Sequence, residues 1–189
     1  MSSTEPIRDD VSEPAAAVDG RRAPGEANGW RWLPLAVAVV VLDQASKFWM
    51  VQHFRIYESV HLLPVLDITL MFNTGAAFSF LSDAGGWQKW LFVTLALGVG
   101  VAILGWLRRL RSRSQALLCC SLSLILGGAL GNVIDRLRIG HVVDFISAHW
   151  GREHYFPAFN VADSAITIGA ILLLLDAWRE SRGSNKVGV

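Results

Sequence analysis

Four stretches of this chain are long and apolar enough to cross a bilayer, and that constraint removes most folds from consideration. They run over about 32–50, 89–107, 115–134 and 157–178, each near the roughly 20 residues that span the hydrocarbon. A backbone in lipid has no water to bond, so each stretch must satisfy its own polar groups as a helix. Composition agrees: only 17% of the 189 residues are charged, against about 25% in soluble domains, and the mean hydropathy is +0.39. The eight tryptophans mark the same limits. Trp30, Trp32 and Trp49 bracket the first stretch, and Trp87, Trp90 and Trp106 the second. Trp150 and Trp178 flank the fourth, as expected for indoles held at the headgroup level.

The expected architecture is an all-α membrane protein of four transmembrane helices, with a small extracytoplasmic β element between helices 1 and 2. Residues 1–28 carry Pro6, Pro14, Pro24 and many charges. They cannot bury enough apolar surface to offset ordering entropy, and read as a disordered cytoplasmic tail. Residues 29–180 form the membrane domain, and 181–189 a second cytoplasmic tail. Arg21, Arg22 and Arg31 precede the first span, Arg108, Arg109, Arg111 and Arg113 crowd the second connection, and Arg179, Arg182 and Lys186 follow the last. The positive-inside rule then places both termini and the second connection in the cytoplasm. Arg136, Arg138 and Arg152 in the third connection resist this assignment and need another reason to be there.

The first connection contains a strand signal. In 66–73, Ile68, Leu70 and Phe72 alternate with Asp67, Thr69 and Asn73, a period of two. Pro64 precedes the run and Asn73-Thr74-Gly75 closes it with turn chemistry. The β element is expected over about 60–80, on the outer face.

Ionisable groups at membrane depth cost about 2.5–3.5 kcal/mol on insertion scales and invite a functional reading. Asp43 and Lys47 lie four apart and can pair on one helix face, which could serve only to neutralise both. Gly127 and Gly131 form a small-xxx-small pair suited to close helix approach. Asn132, Asp135 and Arg136 cluster at the outer end of the third span. Asp144 interrupts an apolar, β-branched run just beyond that span. Asp163 follows Asn160, one to two turns into the expected fourth helix and about 6–9 Å below its start. The short third connection returns both aspartates to the same edge. Two carboxylates in a poorly solvated site share a proton, leaving one acid and one base. Such a pair can activate water and protonate a leaving amine; a structural or ion-pathway role also fits the spacing.

Other chemistries lack their signatures. His53, His61, His141, His149 and His154 form no H-E-x-x-H, so no metal site is expected. No G-x-S-x-G stands beside a buried histidine, and adjacent Ser46 and Lys47 do not face each other on a helix. Cys119 and Cys120 are neighbours in an apolar run, without a second thiol pair, and read as small core residues. The net charge of +1 gives no reason to expect a nucleic-acid partner.

Five segments together resemble the motif series of bacterial lipoprotein signal peptidase, signal peptidase II. They are Asp43-Gln44-Ala45-Ser46-Lys47, Asn73-Thr74-Gly75-Ala76-Ala77-Phe78-Ser79, Gly131-Asn132-Val133-Ile134-Asp135-Arg136, Val143-Asp144-Phe145 and Phe156-Pro157-Ala158-Phe159-Asn160-Val161-Ala162-Asp163-Ser164. Order and spacing are kept over roughly residues 30–180. The resemblance implies an inner-membrane aspartyl endopeptidase, a monomer without cofactor, that removes signal peptides from prolipoproteins carrying a diacylglyceryl cysteine. It implies Asp144 and Asp163 as catalytic residues. Asn73, Gly75, Asn132, Asp135, Arg136 and Asn160 would organise the site and hold the substrate backbone, and Asp43 and Lys47 would support the fold. Arg136 and Arg138 would then suit an anionic phospholipid interface, near the periplasmic face where a lipid-anchored peptide meets water.

Overall fold

The computed structural model describes residues 27–75, 85–151 and 154–184. Most of the two expected tails (1–26 and 185–189), residues 76–79 of the second motif and Arg152 lie outside the described residues. Four helices, α1 Leu33–His53, α2 Gln88–Arg109, α3 Ala116–Ile139 and α4 Val161–Ser184, are each long and apolar enough to cross a membrane. Four strands, β1 Ser59–Leu63, β2 Leu66–Asn73, β3 Val142–Trp150 and β4 His154–Tyr155, form one antiparallel sheet in the order β1-β2-β3-β4.

The spans depart from expectation in ways that matter for the site. Helix α3 runs on to Ile139 and stops where Gly140 takes φ 85°, its N–H bonding the Arg136 carbonyl at 3.2 Å. Only a residue without Cβ adopts that left-handed turn cheaply. Asp135 and Arg136 therefore lie within α3. Helix α4 starts at Val161, four residues later than the sequence suggested. Pro157 looks like a first helical residue, but the chain before Asn160 is extended and bound to β3: Phe145 and Ile146 N–H both donate to the Phe159 carbonyl. Asp163 is thus in the first turn of α4, not one to two turns below its start. At its other end α4 continues to Ser184, through the start of the expected tail.

Strand β3 is the element the sequence did not reveal. It lies in the third connection, so half of the sheet comes from outside the expected 60–80 element. Its first four residues are all buried, and a strand covered on both faces shows no alternation. The alternation read in β2 is also broken, because the β2–β3 register shifts between Ile68 and Met71. Ile68 opposes Ile146 while Met71 opposes Asp144; β2 therefore carries one extra residue, a bulge.

Helix α3 is the most buried span and packs against α1, α2 and α4. Leu107, Leu118, Cys119, Leu122 and Leu126 fill the α2–α3 contact, and Met50, Leu70, Val143 and Phe145 join the end of α1 to the sheet. Outward-facing Val37, Val41, Leu95, Val101 and Leu174 are exposed, as are all the tryptophans but Trp32. Lipid covers such a surface. Because lipid also competes for apolar contact, helix association in it rests on close fit. Gly127 lies against the Ala36 backbone of α1, and Gly128 against the Ala162 carbonyl of α4. A Cβ on Gly131 would stand 2.6 Å from Asp43 Oδ2.

That last approach lets a polar centre form between α1 and α3. Lys47 Nζ lies 2.8 Å from Asp43 Oδ2, 2.8 Å from Asp135 Oδ2 and 2.9 Å from Asn132 Oδ1. Gln44 Nε2 bridges the same carboxylates, 2.8 Å from Asp135 Oδ1 and 3.2 Å from Asp43 Oδ2. The remaining carboxylate oxygen of Asp43 accepts from Ala162 N–H at 2.9 Å, in the first turn of α4. Asp135 Oδ2 also accepts from Val143 N–H of β3 at 3.2 Å. One centre thus ties three helices and the sheet together. At the opposite end of the bundle, Ala27–Asn28 pairs with the α2–α3 connection through Ser112 N–H and the Asn28–Arg111 bridge.

Melting of the purified protein in detergent tests both the helix contacts and the buried cation. Gly128→Leu should destabilise by about 1–3 kcal/mol through overpacking. Gly98→Ala and Gly105→Ala, where a Cβ meets nothing within 4 Å, should leave the midpoint level or raise it slightly. Lys47→Met should cost about 3–5 kcal/mol by leaving buried carboxylates without their cation, and Asp135→Asn in the same chain should recover part of that loss.

Candidate active site

Asp144 and Asp163 line one cavity of about 710 Å³ at the junction of α3, α4, β2 and β3. Asn73, Gly75, Asn132 and Arg136 share its wall; Asn160 is fully buried beneath it, and Asp135 stands behind Asn132 in the Lys47 centre. The structure thus brings Asn73, Gly75, Asn132, Arg136, Asp144 and Asp163 to one cavity, with Asn160 and Asp135 behind it.

Asp163 is placed by a helix cap. Asn160 precedes α4, and its Oδ1 accepts from Asp163 N–H at 2.9 Å while Asp163 Oδ2 accepts from Asn160 N–H at 3.3 Å. This is a reciprocal capping box, with Asn and Asp in the roles commonly taken by Ser and Glu. The macrodipole of α4 favours negative charge at this end. The other oxygen, Oδ1, accepts from Asn132 Nδ2 at 2.8 Å.

Asp144 is placed by the sheet. Its Oδ1 accepts from Asn160 Nδ2 at 2.7 Å and its Oδ2 from Asn73 Nδ2 at 3.0 Å. The β2 bulge makes the second contact available. Asn73 opposes Val142, two residues from Asp144 and hence on its face. Had the register at Asp67–Ser147 continued without the extra residue, Asn73 would lie on the other face.

The amides between the aspartates have fixed orientations. An ammonium only donates, so the atom of Asn132 facing Lys47 is its oxygen and the atom facing Asp163 is its nitrogen. Asn160 Nδ2 reaches toward Asn132 Oδ1 at 3.2 Å as well as Asp144. Lys47, Asn132 and Asn160 thereby form one directed chain of donors to both carboxylates. Burial pushes Asp144 up to about 7, and the neighbouring Asp163 charge adds to the rise; the amides of Asn73 and Asn160 oppose it.

Arg136 turns inward, unlike the headgroup placement suggested by its sequence position. It donates through Nη2 to the Gly75 carbonyl at 2.9 Å and stacks over Phe92 at 5.1 Å. Its buried Nε has no partner among the described residues. Arg138 remains exposed. Gly75 N–H in turn donates to Asn73 Oδ1 at 3.0 Å, a local turn that aims the Asn73 amide nitrogen at Asp144. The cavity continues to Thr167 and Ile168 on the exposed side of α4, which gives it an opening toward lipid.

The family described as Signal peptidase (SPase) II matches residues 35–179. A "Lipoprotein signal peptidase" from Pseudomonas putida is 47% identical over 94% of this chain and 99% of its own length. One from Pseudomonas aeruginosa is 50% identical over 80% of this chain and 89% of its own. Among solved structures, a bacterial membrane enzyme determined by the in meso method at 2.3 Å resolution superposes with a TM-score of 0.71. It is 33% identical and covers 80% of this chain and 89% of that one. With its four apolar helices, its capped and sheet-held aspartates and this extent of similarity, the chain belongs to the signal peptidase II family of membrane peptidases.

Proposed function

We propose that the chain is an aspartyl endopeptidase that removes signal peptides from diacylglyceryl-modified prolipoproteins, cutting before the lipidated cysteine. The carrying observation is two carboxylates lining one cavity that runs out to the exposed side of α4. A lipid-anchored peptide can enter laterally there, with its acyl chains still among lipids. Arg136 Nε, which has no partner among the described residues, and the Asn73 amide are suited to the carbonyl oxygens of an extended substrate backbone.

In the proposed reaction the ionised member of the Asp144–Asp163 pair takes a proton from water, whose oxygen attacks the scissile carbonyl carbon. The protonated member gives its proton to the leaving amine of the cysteine as the C–N bond breaks. The signal peptide departs as a carboxylic acid and the lipoprotein keeps a free amino group. The pair titrates as a unit, so the shared proton belongs to neither residue alone. Asn132 and Asn160 act by orientation, and the Asp43–Lys47 pair by supporting the fold.

Both termini and the second connection are proposed to face the cytoplasm, and the sheet and cavity the periplasmic side of the inner membrane. The arginines at 108–113 and the pairing of Ala27–Asn28 with that connection support this orientation. Both carboxylates and the amides that orient them come from one chain, which supports a monomer in phospholipid; the reaction is proposed to run without a cofactor.

The deciding assay gives the purified chain a diacylglyceryl prolipoprotein and its unlipidated counterpart. Wild type should cut the lipidated substrate, with chelators leaving that cleavage in place. Asp144→Asn and Asp163→Asn should each lower kcat by about 10²- to 10⁴-fold, and the double variant little further. Full cleavage by either single variant overturns the mechanism; preference for the unlipidated protein overturns the substrate. Activity should also fall as pH rises above about 7, where the pair loses its shared proton. A carboxyl raised on folding contributes stability that is lost as pH climbs from the unfolded value through the folded one. Asp144→Asn should therefore raise the melting midpoint more at pH 8 than at pH 5.

A further inference from the structure

A second constellation lies on the sheet, away from the aspartates. His61 on β1, Asp67 on β2 and His149 on β3 converge, with His61 Nδ1 at 2.6 Å and His149 Nε2 at 3.2 Å from the same atom, Asp67 Oδ1. Strand pairing brings them together: His61 opposes Asp67, and Asp67 opposes Ser147, two residues from His149. By alternation along β3, His149 points to the face opposite Asp144. The three ligand atoms all lie within 4.8 Å of one another, whereas ligands around a tetrahedral zinc stand about 3.3 Å apart. To hold an ion, His61 Nδ1 has to move about 0.7 Å away from Asp67 Oδ1 while the widest pair closes, an adjustment open to His61, the most exposed member, on the edge strand.

Hydrogen-bond polarity at His149 also favours a bound cation. His149 Nδ1 faces the Gly151 carbonyl at 3.1 Å, and a carbonyl only accepts, so the ring proton belongs on Nδ1. In the neutral ring, Nε2 then presents a lone pair to a carboxylate oxygen. That pairing repels unless a metal ion, or a second ring proton, stands between the two atoms. A backbone carbonyl holding the distal N–H of a histidine is also the usual support of a metal-bound imidazole. The ring of Tyr155 packs beside His149 at 5.1 Å, and the cavity next to the cluster opens on solvent, leaving room for a water as fourth ligand.

We propose that His61, Asp67 and His149 bind a divalent transition-metal ion of the zinc class on the sheet. Two imidazoles and one carboxylate are a ligand set for such ions rather than for magnesium or calcium. The site is structural. It clasps β1, β2 and β3 at one point, and two of those strands carry Asn73 and Asp144 at their far ends. No helical ligand spacing marks these residues in the sequence; the cluster exists only through strand register.

The test uses the full, tag-free chain in detergent. Zinc binding is measured by calorimetry and by competition with a chromogenic chelator, and cobalt serves as a visible-absorption probe of ligand geometry. One ion per chain is expected, with intense tetrahedral cobalt bands and a higher melting midpoint. His61→Ala removes an exposed side chain and should fold normally, yet weaken binding at least about tenfold. His149→Gln should do the same. Asp163→Asn should bind zinc as wild type does, separating this site from the aspartates. No binding by the wild type, or equal affinity in both histidine variants, overturns the proposal and leaves the cluster as protonated imidazoles on a carboxylate.

Discussion

One buried ammonium sets the polarity of everything around it. Lys47 has three N–H bonds and directs them at Asp43, Asp135 and Asn132. An ion this far from water is stable only when its partners are complete, so α1 and α3 must keep their mutual height. Gly131 makes that height reachable by letting the Asp43 carboxylate lie against the α3 backbone. From there the constraint passes outward through atoms that can only donate or only accept. Lysine fixes the Asn132 oxygen, and so the Asn132 nitrogen. Asn160 continues the chain to Asp144, while Asp43 holds the Ala162 N–H at the head of α4. The aspartates sit where a helix cap and a sheet end meet, and both meeting points refer back to one cation.

How much of this was legible in the chain depended on the range of the signal. The four helices could be read because length and apolarity are local properties, and so could the lipid-facing tryptophans. Asp144 and Asp163 stood out as charges in apolar runs, and motif order gathered the asparagines around them. Three features were not legible. Pro157 carried the mark of a helix start, but pairing of Phe159 with β3 keeps that segment extended. Strand β3 hid because it is buried on both faces. The bulge between Ile68 and Met71 left no trace, since the alternation of 66–73 looks regular as written. His61, Asp67 and His149 likewise meet only through the register of three strands.

The two ends of the bundle differ in kind. At one, the start of α1 and the α2–α3 connection close over an apolar core around Leu107 and Cys119. At the other, a buried polar cluster around Lys47, Asn132 and Asn160 is held by directed hydrogen bonds. Packing sets the helices side by side, and bond direction decides their register along the membrane normal.

The bulge in β2 has a consequence for how this scaffold can change. A regular strand has two faces, and shortening it by one residue exchanges them. Removing a residue near Thr69 would heal the β2–β3 ladder, yet it would turn Asn73 away from Asp144. Here the most ideal backbone and the working site exclude each other. Selection for smoother folding in this segment would erase the contact, so the irregularity persists as a counting device: one surplus residue that keeps an amide on the inside of a sheet.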